Sequence, residues 1–193
     1  MSLTIMKKLF AGLSLLACTS AFAGPLTVEL NGIDSVGARL SGLNTVMTFN
    51  VGANARVTSL SYAVNLTAYD PSYLSEIGVA YTNSAANDGV LTRPGFDNNS
   101  AGTSSFANFV DLVLLGFDFQ VGADGILRLE FYETFNDGQV SPDGRWNSGT
   151  LVFEIDGYQA PGEVPEPASA LLLAGGIAAM GYARRRRAKR AAH

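Results

Sequence analysis

Apolar residues recur at every second position along much of the segment from 24 to 163. Such a period turns one face of a strand toward a core and the other toward water. The pattern is clearest in five same-face sets: Leu26, Val28 and Leu30; Thr45, Met47, Phe49 and Val51; Leu60, Tyr62, Val64 and Leu66; Leu127, Leu129 and Phe131; Leu151, Phe153 and Ile155. Each set predicts one strand.

Turn-forming residues separate these strands, as short connections between antiparallel strands require. They are Asn31-Gly32, Asn87-Asp88-Gly89, Ala123-Asp124-Gly125, Asn136-Asp137-Gly138 and Asp143-Gly144. A further strand is predicted over residues 75–82, and a long loop over 92–106. Residues 109–120 fit either a buried strand or a helical turn. The pattern predicts an all-β fold, an antiparallel β-sandwich of jelly-roll type, over residues 24–158.

The formal net charge of −4 hides a strong asymmetry along the chain. Eight of the 13 basic residues lie near the two ends, whereas residues 24–163 hold 16 acidic and five basic residues, a net charge of −11. A surface this acidic excludes nucleic acid as a partner, because phosphate binding needs clustered Lys and Arg. It is compatible with bound cations.

The N-terminus has the three parts of a secretory signal peptide, predicted over residues 1–23. Lys7 and Lys8 give the positive start, residues 9–17 are apolar, and Ala21-Phe22-Ala23 is a cleavage site before Gly24. Cys18, the only cysteine, ends a segment that resembles a lipobox, so lipidation at Cys18 is the alternative. Cleavage after Ala23 leaves an exported protein without disulfides.

The C-terminus is predicted to be a membrane anchor. A linker, 159–166, leads into 17 uncharged residues, 167–183. As a helix this segment is about 25 Å long at ~1.5 Å per residue, the low end for a single transmembrane span. The basic tail, 184–193, begins with four arginines and is expected to stay in the cytoplasm; these are Arg184, Arg185, Arg186 and Arg187.

The order of these C-terminal features resembles the PEP-CTERM sorting signal of Gram-negative bacteria. The motif residues Val164, Pro165, Glu166 and Pro167 precede a Leu/Ala/Gly-rich segment and an arginine cluster. The resemblance implies recognition by an exosortase, a transient stage in the inner membrane, and delivery to the cell surface or an exopolysaccharide-containing biofilm matrix. The signal is also labelled after ice-binding proteins, but the motif itself implies nothing about ice.

The residue inventory excludes most enzyme chemistry. The single histidine, His193, lies in the basic tail, so the sequence has no Ser-His-Asp or Cys-His arrangement and no histidine-based metal site. A pair of carboxylates for glycoside hydrolysis remains conceivable, although Glu130 and Glu133 are predicted to point to opposite faces of a strand. Arg128 and Glu130 are predicted to form an exposed ion pair.

Two ligand-binding hypotheses stay open. Asp137 and Asp143 bracket a short loop, and oxygen ligands on loops suit Ca²⁺, although two Asp-Gly turns are the simpler interpretation. Four aromatic residues could stack on sugar rings: Tyr69, Tyr73, Tyr132 and Trp146. Trp146, next to a strand, is more often a core or rim residue.

The sequence thus predicts an exported, non-catalytic β-sandwich with a structural or adhesive role, associated with polysaccharide. No cofactor is required, and Ca²⁺ is the one candidate. A calcium-dependent carbohydrate-binding module is the first alternative, and a carboxylate-dependent carbohydrate-active enzyme is the second.

Overall fold

The computed structural model describes residues 23–138 and 141–158. Residues 1–22 of the predicted signal peptide, including Ala21, lie outside the described residues. So do the sorting motif, the predicted span and the arginine cluster. No helix in the described part of the chain has the length and apolar character needed to span a membrane.

The described residues form strands joined by short connections, with one helical turn. The strands are β1 (Ala23–Ser35), β2 (Thr45–Asn50), β3 (Arg56–Ala68), β4 (Ile77–Asn83), β5 (Gly89–Thr92), β6 (Gly102–Asp111), β7 (Phe119–Gln120), β8 (Ile126–Glu133) and β9 (Gly144–Asp156). The helical turn is α1 (Leu112–Leu115). The five alternating segments correspond to β1, β2, β3, β8 and β9, so these strand predictions are confirmed.

The strands make two antiparallel sheets with jelly-roll connectivity. Sheet A has the order β1-β9-β3-β6, with β7 paired to the start of β3, and sheet B has the order β2-β8-β4-β5. The chain crosses between sheets after β1, β2, β3, β5, β7 and β8. The β4–β5 hairpin stays within sheet B. A chain that alternates between two sheets in this way is typical of an eight-stranded jelly roll. The predicted fold class is confirmed.

The core lies between the two sheets and consists of the inward residues of the alternating segments. Leu60, Leu66, Leu129, Phe131 and Phe153 are completely buried. Trp146 is also completely buried, and its ring meets that of Phe131 edge-on at 5.3 Å between centroids. Trp146 is therefore a core residue.

The long loop predicted over 92–106 is present over residues 93–101, but its last part is wrong, because β6 begins at Gly102. The edge strand β6 has few apolar residues, and polar contacts replace the usual alternation. Thr67 and Thr103 hydroxyls lie 2.7 Å apart, and Asn65 Nδ2 donates to Ser105 Oγ at 2.9 Å. Of the two alternatives for residues 109–120, the structure has the helical turn, since the apolar run Leu112–Leu115 forms α1 and only Leu112 is buried.

The sandwich has two distinct ends. Register pairs Ala23 and Arg56 with Asp156, so the chain enters and leaves the described domain at one end, which we call the terminal end. At the opposite end, Ser35 and Ala68 both pair with Gly144, and Ile77 pairs with Glu133. The candidate site lies at this second end.

Candidate functional site

Four acidic residues meet where β8, β9 and the segment before β4 come together. We call Glu76, Glu133, Asp137 and Asp143 the acidic cluster. Backbone hydrogen bonds hold these segments to one another: Thr134 N donates to Glu76 O at 2.9 Å, and Asp143 N donates to Ser35 O at 3.1 Å. The cluster is thus created by strand ends that are far apart in sequence.

Glu133 is the most unusual member of the cluster. It is completely buried, and neither carboxylate oxygen has a hydrogen-bond partner. The nearby hydroxyl of Ser35 donates to Tyr132 O at 2.9 Å. A Cβ atom on Gly144 would lie 2.9 Å from Glu133 Oε1, so glycine at 144 leaves room for this side chain. A buried charge without a partner is strongly unfavourable, so this carboxylate requires a proton or a cation.

The two residues predicted as calcium ligands, Asp137 and Asp143, do lie together. Asp137 N donates to Asp143 Oδ2 at 3.2 Å. Asp143 is completely buried, and both Asp143 Oδ1 and Asp137 Oδ2 are buried without a partner. Glu76 differs, because its Oε2 accepts from Ser72 Oγ and from Tyr73 N, each at 2.9 Å.

The electrostatics of the cluster reflect this crowding. Burial is the main cause that raises the pKa of the Glu133 carboxyl to about 8. The Ser35 hydroxyl acts in the opposite direction, and the charges of Asp143, Glu76 and Asp137 raise the pKa further. Burial also raises the pKa of Asp143, against the effect of the hydrogen bond from Asp137 N. A hard divalent cation with oxygen ligands would relieve both effects.

The cluster is not a finished coordination shell. In the described part of the chain, no three acidic, cysteine or histidine side chains lie close enough together to hold a metal ion as they stand. The carboxylate side chains would have to move closer to one another to coordinate an ion. The residues present fit Ca²⁺ by ligand chemistry, since it accepts six to eight oxygen ligands in flexible geometry.

Sequence reasoning missed Glu133 and Glu76 as partners of the two aspartates. It placed Glu133 on the opposite strand face from Glu130, which says nothing about neighbours on other strands. The only local signal was a glutamate in the last position of a strand otherwise rich in core residues.

The prediction that Glu130 and Arg128 form an exposed ion pair is wrong. The pair exists, with Arg128 NH1 2.8 Å from Glu130 Oε2, but Glu130 is completely buried. The loop between β1 and β2 covers it: Leu40 N and Asn44 Nδ2 donate to Glu130 Oε1 at 2.5 and 2.7 Å. Burial alone would raise the pKa of Glu130, but the hydrogen bonds from Asn44, Arg128 and Leu40 N outweigh it and hold the pKa low.

The four aromatic residues predicted to stack on sugars do not form one surface. Trp146 and Tyr132 are buried, whereas Tyr69 and Tyr73 are 38% and 44% exposed. Both exposed tyrosines adjoin the acidic cluster, because Tyr69 N donates to Asp143 O at 2.9 Å and Tyr73 N donates to Glu76 Oε2. Two of the four candidates therefore remain available to a ligand.

The outer face of sheet A is polar and carries few charges. Asn147 Nδ2 donates to Asn65 Oδ1 at 2.7 Å and to Thr67 Oγ1 at 2.8 Å. These residues continue the polar ladder between β3 and β6. Next to them, a shallow open depression is lined by small residues, among them Ala63, Ser105, Ala107 and Ser148, together with the larger Val64 and Phe106. This face offers hydrogen-bonding groups for a ligand.

Residues 163–187 match the family model of the PEP-CTERM protein-sorting motif. The match includes the predicted motif residues and the arginine cluster. The chain therefore carries this sorting motif, which indicates an exosortase-sorted, exported protein. The matched segment lies outside the described residues.

No curated protein matches the sequence. The described domain is similar to part of a serine protease of Aeromonas sobria, with 14% identity and a TM-score of 0.36 over 69% of this chain. The chain spans only 27% of that protease. It is also similar to the coat protein of Tobacco streak virus, with 10% identity and a TM-score of 0.32 over 75% of this chain and 91% of that one.

A third similarity is to infectious bursal virus-derived T=1 particles, with 17% identity and a TM-score of 0.36 over 76% of this chain and 35% of that one. At TM-scores this low, none of these likenesses carries a functional argument.

Proposed function

We propose that this PEP-CTERM protein is a non-catalytic jelly-roll module that is held briefly in the inner membrane, cut by an exosortase, and delivered to the cell surface or extracellular matrix. There it has a structural or adhesive role and associates with exopolysaccharide. The observation that carries the proposal is the sorting motif at residues 163–187, placed after a β-sandwich that ends only a few residues earlier.

The non-catalytic role is supported by where the acidic residues lie. Glu133 and Asp143 are completely buried, and Glu130 is enclosed by its own partners, so none of the three is exposed to a sugar in solution. The histidine and the cysteine of the chain, His193 and Cys18, lie in its two predicted processing segments. These residues offer no nucleophile–base pair on the surface of the folded domain.

The test is fractionation of the native host with motif variants. Pro165→Ala combined with Pro167→Ala should leave the protein in the inner-membrane fraction, because the processing signal is damaged while the predicted span is intact. Pro161→Ala is the matched control, since this proline lies just before the matched segment. Equal release of both variants would contradict the proposal.

A second candidate function is favoured by the exposed tyrosines beside the acidic cluster. We propose that Ca²⁺ held by Glu133, Asp137 and Asp143 orders the segment that carries Tyr69 and Tyr73. Their rings then stack on the apolar face of a pyranose. The support is the set of buried carboxylate oxygens without partners, together with the backbone bonds from both tyrosines into the cluster.

The calcium proposal and the sorting proposal are independent. The first concerns the end of the sandwich opposite the terminal end, and the second concerns residues beyond Tyr158. Calcium-dependent sugar binding of this kind would explain an exported domain that is strongly acidic yet keeps unpaired carboxylates in its interior.

A further inference from the structure

The helical turn α1 displays apolar side chains to solvent. Asp111 caps its start, where the carboxylate accepts from Leu114 N at 2.9 Å, and Gly116 ends it with a φ of 72°. Leu112 is buried, but a single turn can point only about one of its four side chains into the core. The neighbouring side chains therefore face outward.

We call Val113, Leu114, Leu115 and Phe117 the apolar corner. Their exposed fractions are 49%, 82%, 55% and 58%. Singly exposed apolar residues are normal, but four within five positions concentrate apolar surface at one place in the fold, and concentrated apolar surface marks interaction sites. The capping bonds hold the turn in shape, so the corner is a fixed feature of the fold.

The apolar corner lies at the terminal end of the sandwich. Asp111 pairs with Ser59, near the start of β3, and Arg56 in the same strand pairs with Asp156, at the end of β9. The first residues of the described domain also lie there, since a Cβ atom on Gly24 would lie 3.3 Å from the Tyr158 ring. The corner thus lies at the end from which the chain continues toward the sorting motif.

The length of chain beyond Tyr158 limits how far this end can be from a membrane. The predicted linker from 159 to 166 spans at most about 28 Å when fully extended. The 13-residue strand β3 is about 43 Å long at ~3.3 Å per residue, so the acidic cluster lies well away from the terminal end. Anchoring through residues 167–183 would therefore bring the apolar corner, and not the acidic cluster, to the lipid surface.

We propose that the apolar corner is a membrane-contacting surface, which inserts into the interfacial region of the outer leaflet of the inner membrane while the chain is anchored. This inference rests on the proposed membrane-held stage. The tether keeps the corner at high local concentration beside the bilayer, so even a weak contact is occupied. Asp111 and Asp118 flank the corner, and the domain is acidic. Because these charges would be repelled by anionic headgroups, the expected lipid partner is zwitterionic.

The contact would set the orientation of the domain during sorting. With the corner on the lipid, the linker and the Pro-Glu-Pro residues are held at the membrane surface, where a membrane-embedded protease can reach them. A small apolar patch alone binds a bilayer only marginally and reversibly. Cleavage would therefore free the domain, because it removes the tether that keeps the contact occupied.

The test uses residues 24–193, the chain left after signal cleavage, in phosphatidylcholine proteoliposomes; these residues contain no cysteine, so one introduced cysteine is the only thiol. An environment-sensitive fluorophore is placed at Leu114→Cys. The control is Leu43→Cys, a similarly exposed leucine in the loop whose Leu40 and Asn44 cover Glu130. We expect a blue-shifted emission at 114 and several-fold stronger quenching by spin-labelled lipid there than at 43. Phe117→Cys should repeat the result for 114.

Three other outcomes would each contradict part of this proposal. If the chain floats with the liposomes but position 114 is as aqueous as position 43, the membrane contact is wrong and the anchored stage stands. If both positions are quenched equally, contact through the corner is wrong. If the chain does not float with liposomes at all, the anchored stage itself is wrong, and the contact fails with it.

Discussion

Arg128 and Glu130 form a 2.8 Å ion pair beneath the loop that joins β1 to β2. The two residues are neighbours on the outer face of a central strand, where a charged pair would ordinarily meet water. Here Glu130 is sealed from solvent and accepts hydrogen bonds from three groups. The pair ties the loop to sheet B and leads to the first prediction.

Glu130→Gln should destabilise the domain by about 3 kcal/mol, because it leaves Arg128 largely buried without a counter-charge. Asp118→Asn is the control, since it breaks the half-exposed ion pair with Arg56 and should cost less than about 1 kcal/mol. Urea denaturation measures both values. Equal losses in the two variants would show that the loop does not shield the buried pair.

The same carboxylate predicts a pH dependence. The pKa of Glu130 in the folded protein lies below its ordinary value of 4.5, so the stabilisation it gives is complete above that value. The stabilisation is lost as the pH falls through the folded pKa, where Glu130 takes up a proton. The difference in unfolding free energy between wild type and Glu130→Gln should therefore shrink as the pH falls from the ordinary pKa of 4.5 through the lower pKa of the folded protein. A difference that stays constant would contradict this assignment.

Calcium should stabilise the domain if the acidic cluster binds it. A concentration of about 100 times Kd should add about 2.7 kcal/mol to the free energy of unfolding, relative to protein in EDTA. Glu133→Gln should abolish this gain while keeping the fold, because glutamine has nearly the same shape. The matched control is Glu154→Gln, which makes the same substitution at an exposed position on β9 and should keep the full calcium response. An unchanged response in Glu133→Gln would rule out this site.

Sugar binding, if present, should depend on the two exposed tyrosines. Tyr69→Ala and Tyr73→Ala should each weaken binding to matrix polysaccharide about tenfold or more, since a ring stacked on a pyranose contributes well over about 1 kcal/mol. Phe109→Ala is the control, because that ring is exposed but lies on β6, near the terminal end. Pull-down of the protein with purified polysaccharide in calcium measures the effect. Equal binding by all three variants would show that the two tyrosines do not contact the polysaccharide.

The buried tryptophan should matter for stability instead. Trp146→Ala is expected to cost about 3–5 kcal/mol, because it opens a cavity against Phe131 in the core between the two sheets. Thermal unfolding monitored by circular dichroism measures the loss. A change below about 1 kcal/mol would mean that this ring is not part of the packed core.

The sequence predicted those parts of the fold in which one strand face is apolar and the other polar. Leu60 and Phe153 follow that alternation and are core residues, whereas β6 relies on small polar side chains and escaped notice. Residues 112–115 could not be assigned from pattern, since a short apolar run fits a buried strand and a helical turn equally. The asparagine and glycine turns were recognisable because local backbone preferences determine them.

The candidate site was predictable only in part, because some of its residues are far apart in the sequence. Asp137 and Asp143 are close in sequence, so the pattern itself suggested a shared ligand. Glu133 joins them, and Glu76 approaches, only because strands of two sheets end at the same place. The burial of Glu130 likewise depends on the loop between β1 and β2, whose hydrogen bonds to this glutamate join residues 86 and 90 positions apart. No local pattern reveals contacts over such separations.

The most direct test of the central claim is the intact mass of the protein purified from its host, with and without the exosortase. The account predicts a mature chain that starts at Gly24 and ends near Pro165–Pro167 when the exosortase is present. Without the enzyme, the chain should extend to His193 and remain in the inner membrane. The same mass and the same location in both strains would contradict the account.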